Sequence, residues 1–232
     1  MDQDKLYCAM IADIKNSKKM SISERRDVQE KLIDEIALFN KEYEQELAVP
    51  MDFSRGDQIQ ALFHVTLDAY KITCLFREKM FPVQFRIGLG VGDWSVRVKD
   101  GGTNAQDGTS YHRAAQAFAK AHKENRGIVF FSGEEVDAII NVLIRNEDNI
   151  FANQTDMQKK IARLYYPQSK VEKDSFGVDS ATYIGYTQKH IAKEMNTGKQ
   201  NISQYVRRGR IIEQQELKSA VLILLQQHFE GQ

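Results

Sequence analysis

Two carboxylates stand where strand-like runs stop or turn. The apolar run LYCAMIA ends in Asp13, and the stretch MDFSRGDQIQALF carries Asp57 between two alternating segments. Arg55-Gly56-Asp57 reads as the tip of a tight β-hairpin, because Gly enters a turn without steric cost and Asp tolerates turn geometry. Each Asp alone has an ordinary explanation, Asp13 as a cap or loop residue and Asp57 as a solvated turn. At one edge of one sheet, two close carboxylates offer the hard oxygen donors that Mg or Mn takes. Such ions neutralise phosphate charge and activate a hydroxyl. Asp13 and Asp57 are therefore the candidate metal ligands.

A third run, VQFRIGLGVG, sets Gly88, Gly90 and Gly92 on one face, since side chains alternate along a strand. A face without side chains is approached closely by a helix, another backbone or a ligand. The spacing is not that of a dinucleotide-binding GxGxxG turn.

A second chemistry lies near the C-terminus, in TQKHIAKEMNTGKQNISQYVRR. Ile191, Ala192 and Met195 form a short apolar face. Asn196-Thr197-Gly198 is a turn, and Asn accepts the left-handed backbone such a turn needs. Lys199–Arg208 reads as a second helix with Ile202, Tyr205 and Val206 inward. This is helix-turn-helix spacing over residues 187–208. Between Lys189 and Arg210 six cations (Lys189, Lys193, Lys199, Arg207, Arg208, Arg210) face one anion, Glu194; six minus one leaves a local +5. Lys199, Gln200, Asn201 and Gln204 point away from the apolar face and suit base edges, and Arg207, Arg208 and Arg210 suit phosphates. These seven are the candidate DNA contacts. The competing explanation is a helical hairpin used only for packing or dimerisation.

The elements that must position these residues follow from periodicity. Leu6–Ala12 suits a strand buried on both faces. Ser21-Ile22-Ser23-Glu24 fits a capping box opening a helix that runs to about Leu47, with Val28, Leu32, Ile36, Phe39 and Tyr43 on its buried face. The hairpin follows, then a helix over Leu67–Met80 and a strand over Val83–Gly90. A long polar loop, Asp93–Gly108, contains Trp94. Next come an Ala-rich helix (Tyr111–Asn125), a short strand (Gly127–Ser132) and a helix from Gly133. The order β, α, β-hairpin, α, β, α, β, α predicts an α/β (α+β) ferredoxin-like or palm-like sandwich over residues 1–148, with helices on one face of the sheet. Residues 149–232 form a small all-α domain. Pro167–Ser180 reads as a linker or loop. Glu213–Phe229 is a last amphipathic helix that supports the hairpin or builds a homodimer.

Composition excludes several classes. Lys plus Arg and Asp plus Glu both number 32 among 232 residues, so global charge does not point to nucleic acid and only the local cluster does. Cys8 and Cys74 lie in apolar runs and read as core thiols. The five His show no zinc spacing. No apolar run approaches the roughly 20 residues of a membrane span, and MDQDK does not open a signal peptide. The expectation is a cytoplasmic protein with no membrane partner.

The segments AMIADIKNSKKM, SRGDQIQALF, FRIGLGVG and DGTSYHRAAQAFAKA, with the C-terminal hairpin, resemble the SatD family across nearly the whole chain. The first part more distantly resembles class III nucleotide cyclase domains. There an Asp ending the first strand and an Asp at the hairpin tip bind two metal ions that hold a nucleoside triphosphate, and Asp13 and Asp57 occupy those positions. The resemblance implies the Ile14 carbonyl as a further ligand and a nucleotide site around Ile14, Asn16, Phe53, Arg55, Gly56, His112 and Arg113. It also shows departures. The Asn and Arg that stabilise the cyclase transition state fall at His112 and Gln116, with Arg113 one residue along. The base-selecting Lys falls at Phe53. Loss of a cationic transition-state group costs orders of magnitude in rate. The first reading is a DNA-binding regulatory protein whose α/β domain binds a nucleotide and divalent metal or mediates dimerisation. The alternative is a divalent-metal-dependent nucleotide-processing enzyme, a divergent nucleotide cyclase. Catalytic residues are left unassigned.

Overall fold

The computed structural model describes residues 5–99, 101–165, 168–173, 179–184 and 187–230; for 168–173, 179–184 and Arg55 it describes the backbone alone. The elements are β1 (Tyr7–Ile14), α1 (Ile22–Glu42), β2 (Leu47–Arg55), β3 (Gln58–Phe63), α2 (Thr66–Met80), β4 (Phe85–Gly92), α3 (Thr109–Lys123), β5 (Ile128–Phe131), α4 (Asp137–Asn153), α5 (Asp156–Tyr165), β6 (Gln168–Lys173), β7 (Asp179–Ile184), α6 (Gln188–Glu194), α7 (Lys199–Arg208) and α8 (Ile211–Phe229). Two compact units divide the chain. One comprises residues 1–141 and 228–232, the other residues 142–227.

In the first unit five strands lie in the order β2-β3-β1-β4-β5. β1 runs antiparallel to β3 and β4, and β4 runs parallel to β5. The first four strands with α1 and α2 make the split βαββαβ arrangement of a ferredoxin-like, palm-like fold, and α3 carries the chain over to β5. β1 is central, and Cys8, Ala9, Met10 and Ala12 are wholly buried, as a continuous apolar run requires of a strand covered on both sides.

Helices cover both faces, not one. On one face Thr73 of α2 donates to Met10 Sδ, and Phe76 of α2 packs edge-on to Phe39 of α1 at 5.3 Å. The other face belongs to α3, and the alternating glycines are the cause. A Cβ on Gly90 would sit 2.0 Å from the backbone nitrogen of Ala114, and one on Gly88 would sit 2.3 Å from that of Phe118. The helix backbone therefore lies directly on the strand. Ala114, Ala117 and Ala121 face the contact, whereas Ala115 and Ala119 are exposed.

α1 begins with the expected capping box, Ser21 and Glu24 each bonding the other's backbone N–H. It ends at Glu42 rather than Leu47, because residues 47–55 are taken into the edge strand β2. Two asparagines close the sheet's edges. Asn40 of α1 accepts from the Met51 N–H and donates to the Met51 carbonyl, both at 2.8 Å. At the opposite edge Asn141 of α4 accepts from the Phe130 N–H at 3.0 Å and donates to its carbonyl at 2.7 Å. Each side-chain amide takes the place of a neighbouring strand.

In the second unit α5, α6 and α7 enclose Ile161, Ala162, Ile191, Ala192, Ile202, Val206 and Ile211. Tyr205, expected inward, is 36% exposed. β6 and β7 pair antiparallel where a linker was expected; residues 174–178 of that stretch lie outside the described residues. A polar chain runs through this unit's interior. Gln154 donates to Gln214, and Gln214 donates to Glu147, each at 2.7 Å. Among the described residues no helix is long and apolar enough to cross a membrane.

Candidate functional site

Asp13 and Asp57 lie at one end of the sheet, near enough for the Asp57 charge to act on Asp13. β1 and β3 pair from Cys8↔Phe63 to Ala12↔Ile59. One step further, Asp13 approaches the turn that carries Gly56 and Asp57. Gly56 adopts φ +62°, and a Cβ added there would meet nothing within 4 Å, so the turn's backbone demands glycine and no close neighbour does. Asp57 is half-buried. Burial raises the proton affinity of Asp13, and the Asp57 charge adds a smaller push in the same direction. The Arg86 guanidinium opposes both. Among the described residues no group of three or more His, Cys, Asp or Glu side chains is placed to hold a metal ion. The pair would therefore need carbonyl, water or phosphate oxygens to complete a shell. Ile14, last in β1, stands beside Asp13 with its side chain buried. Two carboxylates and a carbonyl would make an all-oxygen donor set of the kind Mg or Mn takes.

Arg86 is the residue that pattern reading missed. It stands directly opposite Asp13 on β4, and its Nη1 lies 3.3 and 3.5 Å from the two Asp13 oxygens. The available signal was one charged residue inside the apolar run FRIGLGVG. Its meaning depended on the β1–β4 register.

The other expected nucleotide residues scatter. Asn16, exposed, takes a left-handed backbone at φ 60° and opens the short turn Ser17–Lys19. Phe53 is half-buried in β2 and pairs with Ile59. The Arg55 side chain lies outside the described residues. His112 and Arg113 are not brought to the carboxylates. The Arg113 guanidinium donates to the Val91 carbonyl at 2.7 Å, and Val91 pairs with Cys8 while Arg86 pairs with Asp13. Five residues of strand, about 17 Å at ~3.4 Å each, separate the two ends. His112 is exposed and within 3.2 Å of an Asp107 oxygen.

The long loop after β4 is folded around one side chain. Gln106 accepts from the Trp94 indole and the Val98 N–H and donates to the Val98 and Gly102 carbonyls. With α1 and β2 this loop encloses an open cleft of about 750 Å³ floored by Val49 and Met51 and bordered by Phe53. Neither Asp13, Asp57 nor Arg86 lines it.

In the second unit, α6 and α7 are joined through Asn196, which has the expected left-handed backbone at φ 49°. The Thr197 N–H reaches back to the Ala192 carbonyl at 2.9 Å. Lys199, Gln200, Asn201, Gln204, Arg207, Arg208 and Arg210 are all exposed, while Ile202 and Val206 are buried. Arg210 is exposed but engaged, its guanidinium held by the carboxylate of Glu213 three residues on.

The model of the SatD family matches residues 7–212. No curated protein matches the chain. Similar solved structures include a microbial GGDEF domain, at 16% identity over 56% of this chain and 83% of that one, with a TM-score of 0.38. The diguanylate cyclase SiaD of Pseudomonas aeruginosa, solved with its activator SiaC, is 19% identical over 56% of this chain and 52% of its own, with a TM-score of 0.40. A bacterial light-regulated adenylyl cyclase is 13% identical over 88% and 97%, with a TM-score of 0.38.

Proposed function

The chain belongs to the SatD family, and we propose that its α/β unit is a divalent-metal-dependent nucleotide-processing domain centred on Asp13 and Asp57. The observation that supports this reading is their convergence where β1 meets the β2–β3 turn, close enough for one charge to act on the other. When bound, Mg or Mn would neutralise the charge of a nucleoside triphosphate. The chain's own residues do the rest. Asp13 and Asp57 hold the cation, and Gly56 keeps the turn tight. His112 and Arg113, at the far end of the strands, take no part in holding the cation. The test is Mn2+ binding followed by electron paramagnetic resonance, alongside turnover of the common nucleoside triphosphates. Wild type binds Mn2+, and Asp57→Asn loses both binding and turnover. A wild-type chain that binds no Mn2+ overturns the reading.

The second reading keeps the helix-turn-helix as a DNA contact. It is favoured by one observation, the exposure of all seven candidate side chains on and beside α7, opposite buried Ile202 and Val206. Affinity for duplex DNA that falls with salt, and that weakens when Arg207 and Arg208 are replaced by Gln, supports it. Salt-independent binding, or none, removes it.

A further inference from the structure

Asp13, one of the two residues proposed to hold a cation, already faces a cation of the protein's own. Asp13 and Arg86 stand opposite one another on β1 and β4, on the face that α3 covers. Their side chains are 21% and 14% exposed. The contact is one-ended. A single guanidinium nitrogen approaches both carboxylate oxygens at 3.3 and 3.5 Å, and Arg86 Nε is buried with no hydrogen-bond partner. A settled Arg–carboxylate pair uses two nitrogens in parallel, at shorter distances. The other groups acting on Asp13 are Asp57 and, from α3, His122. Nearby Lys15 is directed elsewhere, its ammonium donating to the Asn125 carbonyl at 3.2 Å.

We propose that Arg86 is an exchangeable counter-ion. It neutralises Asp13 while the site lacks a divalent cation. When the cation takes the Asp13 oxygens, the guanidinium turns to the phosphate oxygens of the incoming ligand. This rests on the proposed function above. A half-buried carboxylate beside a second one needs a positive neighbour. A divalent ion on the Asp13 oxygens competes with the guanidinium for them, and the two like charges repel. The released guanidinium needs an anion, and a polyphosphate brought in with the cation supplies one in the planar geometry that Arg recognises. No covalent step is involved.

The experiment titrates the full-length chain with Mn2+ alone, then with Mn2+ and inorganic tripolyphosphate, for wild type, Arg86→Met, Arg86→Lys and Asp57→Asn. Without its competitor, Arg86→Met binds Mn2+ about tenfold tighter or more. Without the phosphate contact, the same variant binds the Mn2+–tripolyphosphate complex about tenfold more weakly. Arg86→Lys, which keeps the charge and protects the fold, lies between wild type and Met in both titrations. Opposite signs in the two titrations distinguish exchange from a fixed structural ion pair, whose loss would move both the same way or neither. If wild type binds Mn2+, Asp57→Asn does not, and both Arg86 variants match wild type, the exchange is overturned and the proposed function stands. If wild type binds no Mn2+, both fall.

Discussion

Burial and charge pull on Asp13 in opposite directions. Partial burial disfavours its anion, Arg86 favours it, and Asp57 adds a second negative charge nearby; the net effect is a proton affinity above the usual carboxylate range. In His64 burial and charge pull the same way. Its Nδ1 is buried without a hydrogen-bond partner. Burial first, and then the charge of Lys5, hold its pKa below the ordinary ~6.5. The folded chain therefore refuses a proton that the unfolded chain accepts, and stability rises with pH between the lowered value and ~6.5. The urea midpoint of wild type is expected to fall between pH 7 and pH 5, and His64→Gln is expected to flatten that slope. An unchanged slope would mean that His64 keeps its ordinary affinity. Asp13 stands out in the sequence because a carboxylate ending an apolar run is conspicuous, and Asp57 because it follows a turn glycine. Arg86 and the surroundings of His64 do not, because a cross-strand neighbour is known only once the register is.

At the scale of elements, the most consequential feature is the pair of edge asparagines. Asn40 and Asn141 come from different helices and serve opposite edges of one sheet, yet each satisfies both the N–H and the carbonyl of one strand residue. Replacing either by Ala leaves two backbone groups without those partners, at a cost of about 1–3 kcal/mol. Four strand spacings, about 19 Å, separate the edges, so the losses should add in the double variant. Urea midpoints of the two single variants and the double variant check this. A loss well below 1 kcal/mol at both sites would show that water replaces the amides without penalty. The glycine face was legible as a close approach, but not as the reason for a second helical layer. Alternation says that one face is bare, and only the fold says that α3 lies on it.

The whole molecule carries no net charge, with 32 cations and 32 anions, so it projects little long-range field toward a polyanion. The proposed DNA affinity rests on the second unit's local cluster. Lys189, Lys193, Lys199, Arg207 and Arg208 are exposed, and Arg210 is held by Glu213. Five phosphate contacts would give a slope of log affinity against log salt of about −4.5. Fluorescence anisotropy of a labelled duplex across a salt series measures it. A slope near −1 would mean that the cluster does not bind along the duplex.

By itself the sequence determined the order of the elements from β1 to β5, the capping box at Ser21, the glycine turn before Asp57 and the left-handed Asn196 between α6 and α7. Periodicity, caps and turns act over a few residues and leave their mark in residue type. The tertiary structure alone decided that helices cover both faces, that Arg86 faces Asp13, that His112 and Arg113 lie five residues of strand away, and that two asparagines close the sheet. Each of these joins segments distant in sequence. Strand register and helix placement set them, and both come from packing the whole core rather than from any local pattern.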